Sequence, residues 1–263
     1  RLRRDPGRWR PCDVILMSLA YQTDEEPQGS AVEQPYDVQA PRPDIPYYTY
    51  VLVAAIVAVA VVQFATGLEP SILAAGFDKA AFLNGGEYWR ILTGAAVHGG
   101  LAHIAMNSYA FYSFGRIFET LSNGAHLAIV FLLSAIGGGI LSLLFVPDGL
   151  SVGASGGVVG LISYLAVYAF RRRQFITPEF RKSLLMNIGF IIIFGLVLYQ
   201  VIDNFGHIGG LITGAVYGLI QIPGDAYSDP REAGQAAQIA GLASVGIYLA
   251  TCLFAVLLIL RIV

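Results

Sequence analysis

Four polar side chains stand out in an otherwise apolar chain, and their types are those of an acyl-transfer site. Ser155 lies inside "GASGG" at 153–157, His207 opens "HIGGLITG", and His103 and Asn107 bound "HIAMN". A serine hydroxyl is a weak nucleophile until a neighbouring base takes its proton, and neutral histidine does this at pH 7. Acyl transfer also needs donors aimed at the oxyanion of the tetrahedral intermediate. His103 and Asn107 are one helical turn apart and share a face, so with the Ser155 backbone N–H they form a candidate oxyanion hole. Asp203, one turn before His207, is expected to start a helix rather than to orient the imidazole. His126 is expected at the cytoplasmic interface. No metal site and no cofactor are expected: "HExxH" is absent, and three histidines without a nearby carboxylate make a poor zinc site.

The elements that must position these groups read as membrane helices. Of 263 residues, 56% are apolar and 13% charged, and the mean hydropathy is +0.63, which excludes an ordinary water-soluble domain. A helix needs about 20 apolar residues to cross a hydrocarbon core of about 30 Å. Seven such stretches lie near 49–66, 93–116, 125–146, 155–170, 184–202, 205–222 and 239–261. The fold expected is therefore all-α, a polytopic bundle of seven transmembrane helices. The second, fourth and sixth spans run in the same direction and place His103, Ser155 and His207 at one depth near the outer face. The fourth span is short, about 24 Å of helix, so its serine end stops below the surface. Irregular backbone at that depth is tolerated only where protein or a water-filled cavity satisfies it. Gly210, Gly214 and Gly218 follow His207 at spacings that share one helical face, and the fourth span answers with Gly156 and Gly160. Small residues at this spacing let two membrane helices pack backbone to backbone, which would bring Ser155 within reach of His207.

Positive charge is distributed by side. Arg1, Arg3, Arg4, Arg8, Arg10, Arg42, Arg116, Arg171, Arg172, Arg173, Arg181, Lys182 and Arg231 fall on the amino-terminal segment and alternate loops, whereas the opposite side holds only Lys79, Arg90 and Arg261. The amino terminus is therefore expected in the cytoplasm and the carboxy terminus outside, in the plasma membrane if the source is bacterial. Cys12 and Cys252 then lie on opposite sides and cannot pair within one chain. The chain divides into a mostly flexible cytoplasmic tail at 1–46, a six-helix core at 47–222, and a linker with an extra helix at 223–263. The loop at 67–92 is apolar enough to lie in the membrane interface. A net charge of −2 gives no attraction to nucleic acid.

These residues resemble the rhomboid family of intramembrane serine proteases. "GASG" at 153–156, "HIAMN" at 103–107 and "HIGGLITG" at 207–214 match its three signature elements in order, and "YWR" at 88–90 resembles its external-loop Trp-Arg pair. The seventh span is similar to that of members with one helix after the core. The resemblance implies Ser155 as nucleophile, His207 as general base and then acid, and His103 and Asn107 as oxyanion stabilisers. Trp89 and Arg90 would be structural parts of the external loop, and Gly153, Gly156, Gly210 and Gly214 structural or gating positions. Val159 departs from the pattern, standing where the family often stacks an aromatic ring on the catalytic histidine. The implied partners are membrane lipid and single-span transmembrane substrates, cut near the outer face at small residues.

Three other readings have distinct signatures. An inactive relative that binds membrane helices would be expected to lack Ser155 or His207. A transporter or channel would carry intramembrane charges and paired broken helices. An α/β-hydrolase matches G-x-S-x-G literally, but its nucleophile elbow needs a strand and a soluble sheet.

Overall fold

The computed structural model describes residues 45–225 and 228–262. The expected flexible tail, with Cys12, falls almost wholly outside the described residues. Seven long helices follow: α1 (Tyr47–Thr66), α5 (Leu101–Leu121), α6 (Gly124–Phe145), α7 (Ser155–Arg171), α8 (Pro178–Val197), α9 (Asn204–Gln221) and α10 (Gln235–Ile259). Between α1 and α5 lie the short helices α2 (Leu68–Ala75), α3 (Lys79–Asn84) and α4 (Arg90–Thr93), together with β1 (Phe77–Asp78). The strand β2 (Leu150–Ser151) precedes α7 and pairs antiparallel with β1, Phe77 opposite Ser151. The molecule is thus an integral, multi-pass helical membrane protein.

The helices α1, α6, α8 and α10 are long and apolar enough to cross a membrane. The other three carry the candidate site: α7 is shorter at 17 residues, and α5 and α9 dilute their apolar runs with polar side chains. A polar group inside a membrane must face protein or water. At the centre α9 packs between α6 and α7, with α10 on the α6 and α1 side and α1 against α5. The helix α8 packs chiefly against α7 and is mostly exposed.

Local chemistry sets several boundaries. Asn123 caps α6 by accepting from His126 N–H at 2.9 Å. Thr177 does the same for α8 from Phe180 N–H at 3.3 Å, with Pro178 at the first helical position. That cap starts the fifth span at 178, earlier than the apolar run at 184–202 predicts. The second span starts at Leu101 rather than 93, because residues 94–100 form turns ending in Gly100 at φ 153°. His126, in the first turn of α6, is buried against α9, with its Nδ1 2.7 Å from the Tyr217 hydroxyl.

Two buried cations hold the 67–92 loop, Arg90 by tying it to itself and Lys79 by reaching the bundle. Arg90 donates to the carbonyls of Leu73 at 3.2 Å and Gly76 at 2.8 Å, and pairs with Glu87 at 2.5 Å. Lys79 is 1% exposed and faces Asp203 at 4.0 Å. Burial pushes the Lys79 pKa down, and the Asp203 carboxylate acts in the opposite direction. Trp89 is partly exposed, its ring edge-on to Phe254 of α10 at 5.9 Å.

Candidate active site

Ser155 is the first residue of α7, where the backbone N–H groups of the opening turn have no intrahelical acceptor. Its approach is held from outside the helix. Gly153 N–H donates to the Gly94 carbonyl at 2.8 Å, and Ala154 N–H to His98 Nε2 at 3.5 Å. Gly153 sits at φ +119°, and a Cβ there would meet the His103 ring at 2.7 Å and Asn107 Nδ2 at 3.5 Å. The two donor side chains of α5 therefore lie directly beside the residue two before Ser155, and only glycine admits both the backbone angle and the contact. Asn107 is buried, and its Nδ2 has no partner among the described residues. An unsatisfied buried donor costs about 1–3 kcal/mol, so an amide held this way is poised for an acceptor.

His207 comes to the same place through glycine contacts. A Cβ on Gly210 would collide with the Gly156 carbonyl, and one on Gly214 with that of Gly160. On its other side α9 meets α6: a Cβ on Gly209 would strike the Gly137 carbonyl, and one on Gly138 would lie against Gly206 O at 2.5 Å. The backbones bearing Ser155 and His207 thus abut, one residue from the Gly156 contact on α7 and between Gly206 and Gly210 on α9. No Ser155–His207 hydrogen bond forms among the described residues; catalytic pairs are often long in the free protein and tighten on substrate.

Asp203 caps α9, accepting from Gly206 N–H at 2.8 Å. Its other oxygen accepts from the hydroxyls of Ser151, at 2.5 Å, and Ser142. His207 Nδ1 has no partner among the described residues, so the carboxylate fastens α9 to β2 and α6 rather than orienting the imidazole. Val159 is buried. A cavity of about 50 Å³ opens beside Ser155, lined in part by Gly94, Ala95, Ser151, Gly153, Asp203 and Gly206. That is room for a few water molecules next to polar groups able to bind them. Among the described residues no cluster of His, Cys, Asp or Glu has the arrangement of a metal site.

The sequence reading missed His98. It is buried, and Gln63 of α1 brackets it, accepting from its N–H at 2.9 Å and donating to its carbonyl at 3.2 Å. Its ring is edge-on to His103 at 5.2 Å, so one residue braces both Ala154 and an oxyanion candidate. The available signal was Gln63 itself, an amide in the middle of an apolar span that demands a buried partner.

Comparison with known proteins bears on the same region. The Rhomboid domain model matches residues 85–224. The chain belongs to the rhomboid family. It is similar to RHOMBOID-like protein 6, mitochondrial, of Arabidopsis thaliana, 34% identical over 54% of this chain and 47% of that protein. Rhomboid protease GluP of Bacillus subtilis (strain 168) is 33% identical over 55% of this chain and 28% of its own length. Inactive rhomboid protein 1 of Papio anubis is 30% identical over 52% of this chain and 16% of its own length. The chain thus spans less than half of each of these relatives. The rhomboid match contains every candidate site residue from Trp89 to Gly214 and stops before α10.

Proposed function

We propose that this rhomboid-family chain is an intramembrane serine endopeptidase that hydrolyses peptide bonds in or beside the helices of single-span membrane proteins. Ser155 attacks the scissile carbonyl while His207 takes its proton, and His207 then returns a proton to the leaving amine. The bond broken is the peptide C–N. Water releases the acyl-enzyme in a second cycle of the same proton transfers. The oxyanion is held by Asn107 Nδ2, His103 and the Ser155 N–H at the positive end of the α7 dipole. No cofactor takes part in these steps. A substrate helix must unwind locally, because helical carbonyls are already hydrogen-bonded and shielded by their own turn.

The observation that supports this reading most is the convergence of α5, α7 and α9 on the Gly153–Ser155 turn, with an unpartnered amide donor on one side and the His207 backbone on the other. Orientation follows from charge: the arginine-rich loops lie cytoplasmic and the site near the outer face. Of the opposite side's positive residues, Lys79 and Arg90 are buried, which removes them from the solvated loop charge. A fluorophosphonate is expected to label the wild-type protein at Ser155 and to leave Ser155→Ala unlabelled. Absence of labelling in folded wild-type protein would favour a helix-binding role without catalysis.

Asn107→Ala supplies a graded prediction. Losing one oxyanion donor costs on the order of 10²–10³ in kcat where no other donor compensates. Steady-state cleavage is expected to fall by about that factor with KM little changed, because the interaction is made in the transition state. Wild-type kcat in Asn107→Ala would remove the amide from the oxyanion site.

A further inference from the structure

Tyr248 lies on α10, outside the six-helix core, yet it reaches the wall of the Ser155 site. Its side chain is fully buried, and its hydroxyl donates to the Ala95 carbonyl at 2.9 Å. Ala95 and Gly94 line the cavity beside Ser155, and the Gly94 carbonyl accepts from Gly153 N–H. The phenol therefore fastens the turn on which the nucleophile's own approach hangs. A second path runs through the ring. Tyr248 packs edge-on against Phe131 of α6 at 4.9 Å. Phe131 in turn packs against Phe111 of α5 at 4.6 Å, the helix that bears His103 and Asn107. Phe131 also fills the space beside Gly157, where a Cβ would meet it at 2.5 Å. One side chain of α10 thus touches the turn beside the cavity directly and reaches α5 and α7 through Phe131.

From these contacts we infer that Tyr248 is a positioning residue for Ser155, so that the extra helix is part of the active-site scaffold; the inference rests on the serine-hydrolase reading above. The hydroxyl is the informative group, because the ring alone satisfies packing whereas the O–H donates to the Ala95 carbonyl in the cavity wall. Removing it leaves the 94–98 turn free to move by fractions of an ångström, and such displacements are costly in a site built on orientation.

The test uses the full chain in liposomes with Tyr248→Phe, which keeps the ring and deletes only the hydroxyl. Three readouts are expected to move. Cleavage of a single-span substrate loses about tenfold in kcat with KM within about twofold, the scale of one buried hydrogen bond. Fluorophosphonate labelling of Ser155 slows by a similar factor. Amide exchange in peptides covering 94–98 and Gly153 speeds up, while α6 peptides keep their wild-type protection. Unchanged kcat, labelling rate and exchange would overturn the inference and leave Tyr248 as packing alone. If wild-type protein neither cleaves nor labels, the hydrolase reading fails instead, and the exchange comparison still decides whether Tyr248 holds the turn.

Discussion

His207→Ala is expected to reduce substrate cleavage by about 10³-fold or more, and Ser155→Ala to reduce it to background. General base catalysis is worth about 10²–10⁴, and a base that activates a covalent nucleophile sits at the upper end because the nucleophile is inert without it. The more discriminating quantity is the double variant. Groups that act as one unit are grossly non-additive, so Ser155→Ala/His207→Ala is expected to be no slower than Ser155→Ala alone. His207→Ala should also slow fluorophosphonate labelling, whereas Asn107→Ala affects it less because the proton acceptor is intact. If His207→Ala cleaved at the wild-type rate, or if the two losses multiplied in the double variant, Ser155 and His207 would not be partners.

Gly210→Leu is expected to have the second largest effect, through packing rather than chemistry. The neighbour at Gly210 is the Gly156 backbone, which cannot rotate away as a side chain can. A leucine there forces α7 and α9 apart, and overpacking of this kind costs about 1–3 kcal/mol even where side chains can adjust. Since Ser155 adjoins Gly156, separation removes the nucleophile from its base. Cleavage is expected to fall at least tenfold and the thermal midpoint to drop. Gly246→Leu is the control, since a Cβ at Gly246 meets nothing within 4 Å; that variant should match wild type in both measurements. Wild-type activity and midpoint in Gly210→Leu would contradict the close-packing account.

Much of this architecture was legible because the membrane imposes strong rules on sequence. Apolar runs of helix length mark the seven long helices, four of them long and apolar enough to cross a membrane, and the four-residue spacing of glycines points to the α7–α9 contact. Boundaries were harder wherever capping rather than hydropathy decides them. Thr177-Pro178 starts α8 amid charged residues, and the "GAAVHGG" turns push the start of α5 beyond the apolar run it extends. The second glycine seam, Gly206 and Gly209 against Gly137 and Gly138, was visible as "GGG" at 137–139 but has no period that names its partner helix. Apart from the hint that Gln63 gives for His98, the roles of His98 and Tyr248 were illegible for a related reason. Their contacts, to Gln63, Ala154 and Ala95, join elements distant in sequence, and no local pattern encodes a hydrogen bond across 153 positions. The β1–β2 pairing, only two residues a strand, likewise lies below any alternation a sequence displays.

The Asp203 network illustrates how a site residue and a scaffold residue are told apart. A carboxylate one turn before a candidate base invites the role of third triad member, yet its oxygens are occupied by a helix cap and two serine hydroxyls. The chemistry proposed here is accordingly a dyad, with the imidazole held by helix packing rather than by a buried acid.

The most direct measurement places the purified chain in liposomes with a model single-span substrate, compares wild type with Ser155→Ala, and maps the new termini by mass spectrometry. Wild type is expected to produce one cut near the outer end of the substrate helix without added metal or cofactor, and Ser155→Ala none. Cleavage at the same bond by Ser155→Ala would contradict the assignment of Ser155 as the nucleophile.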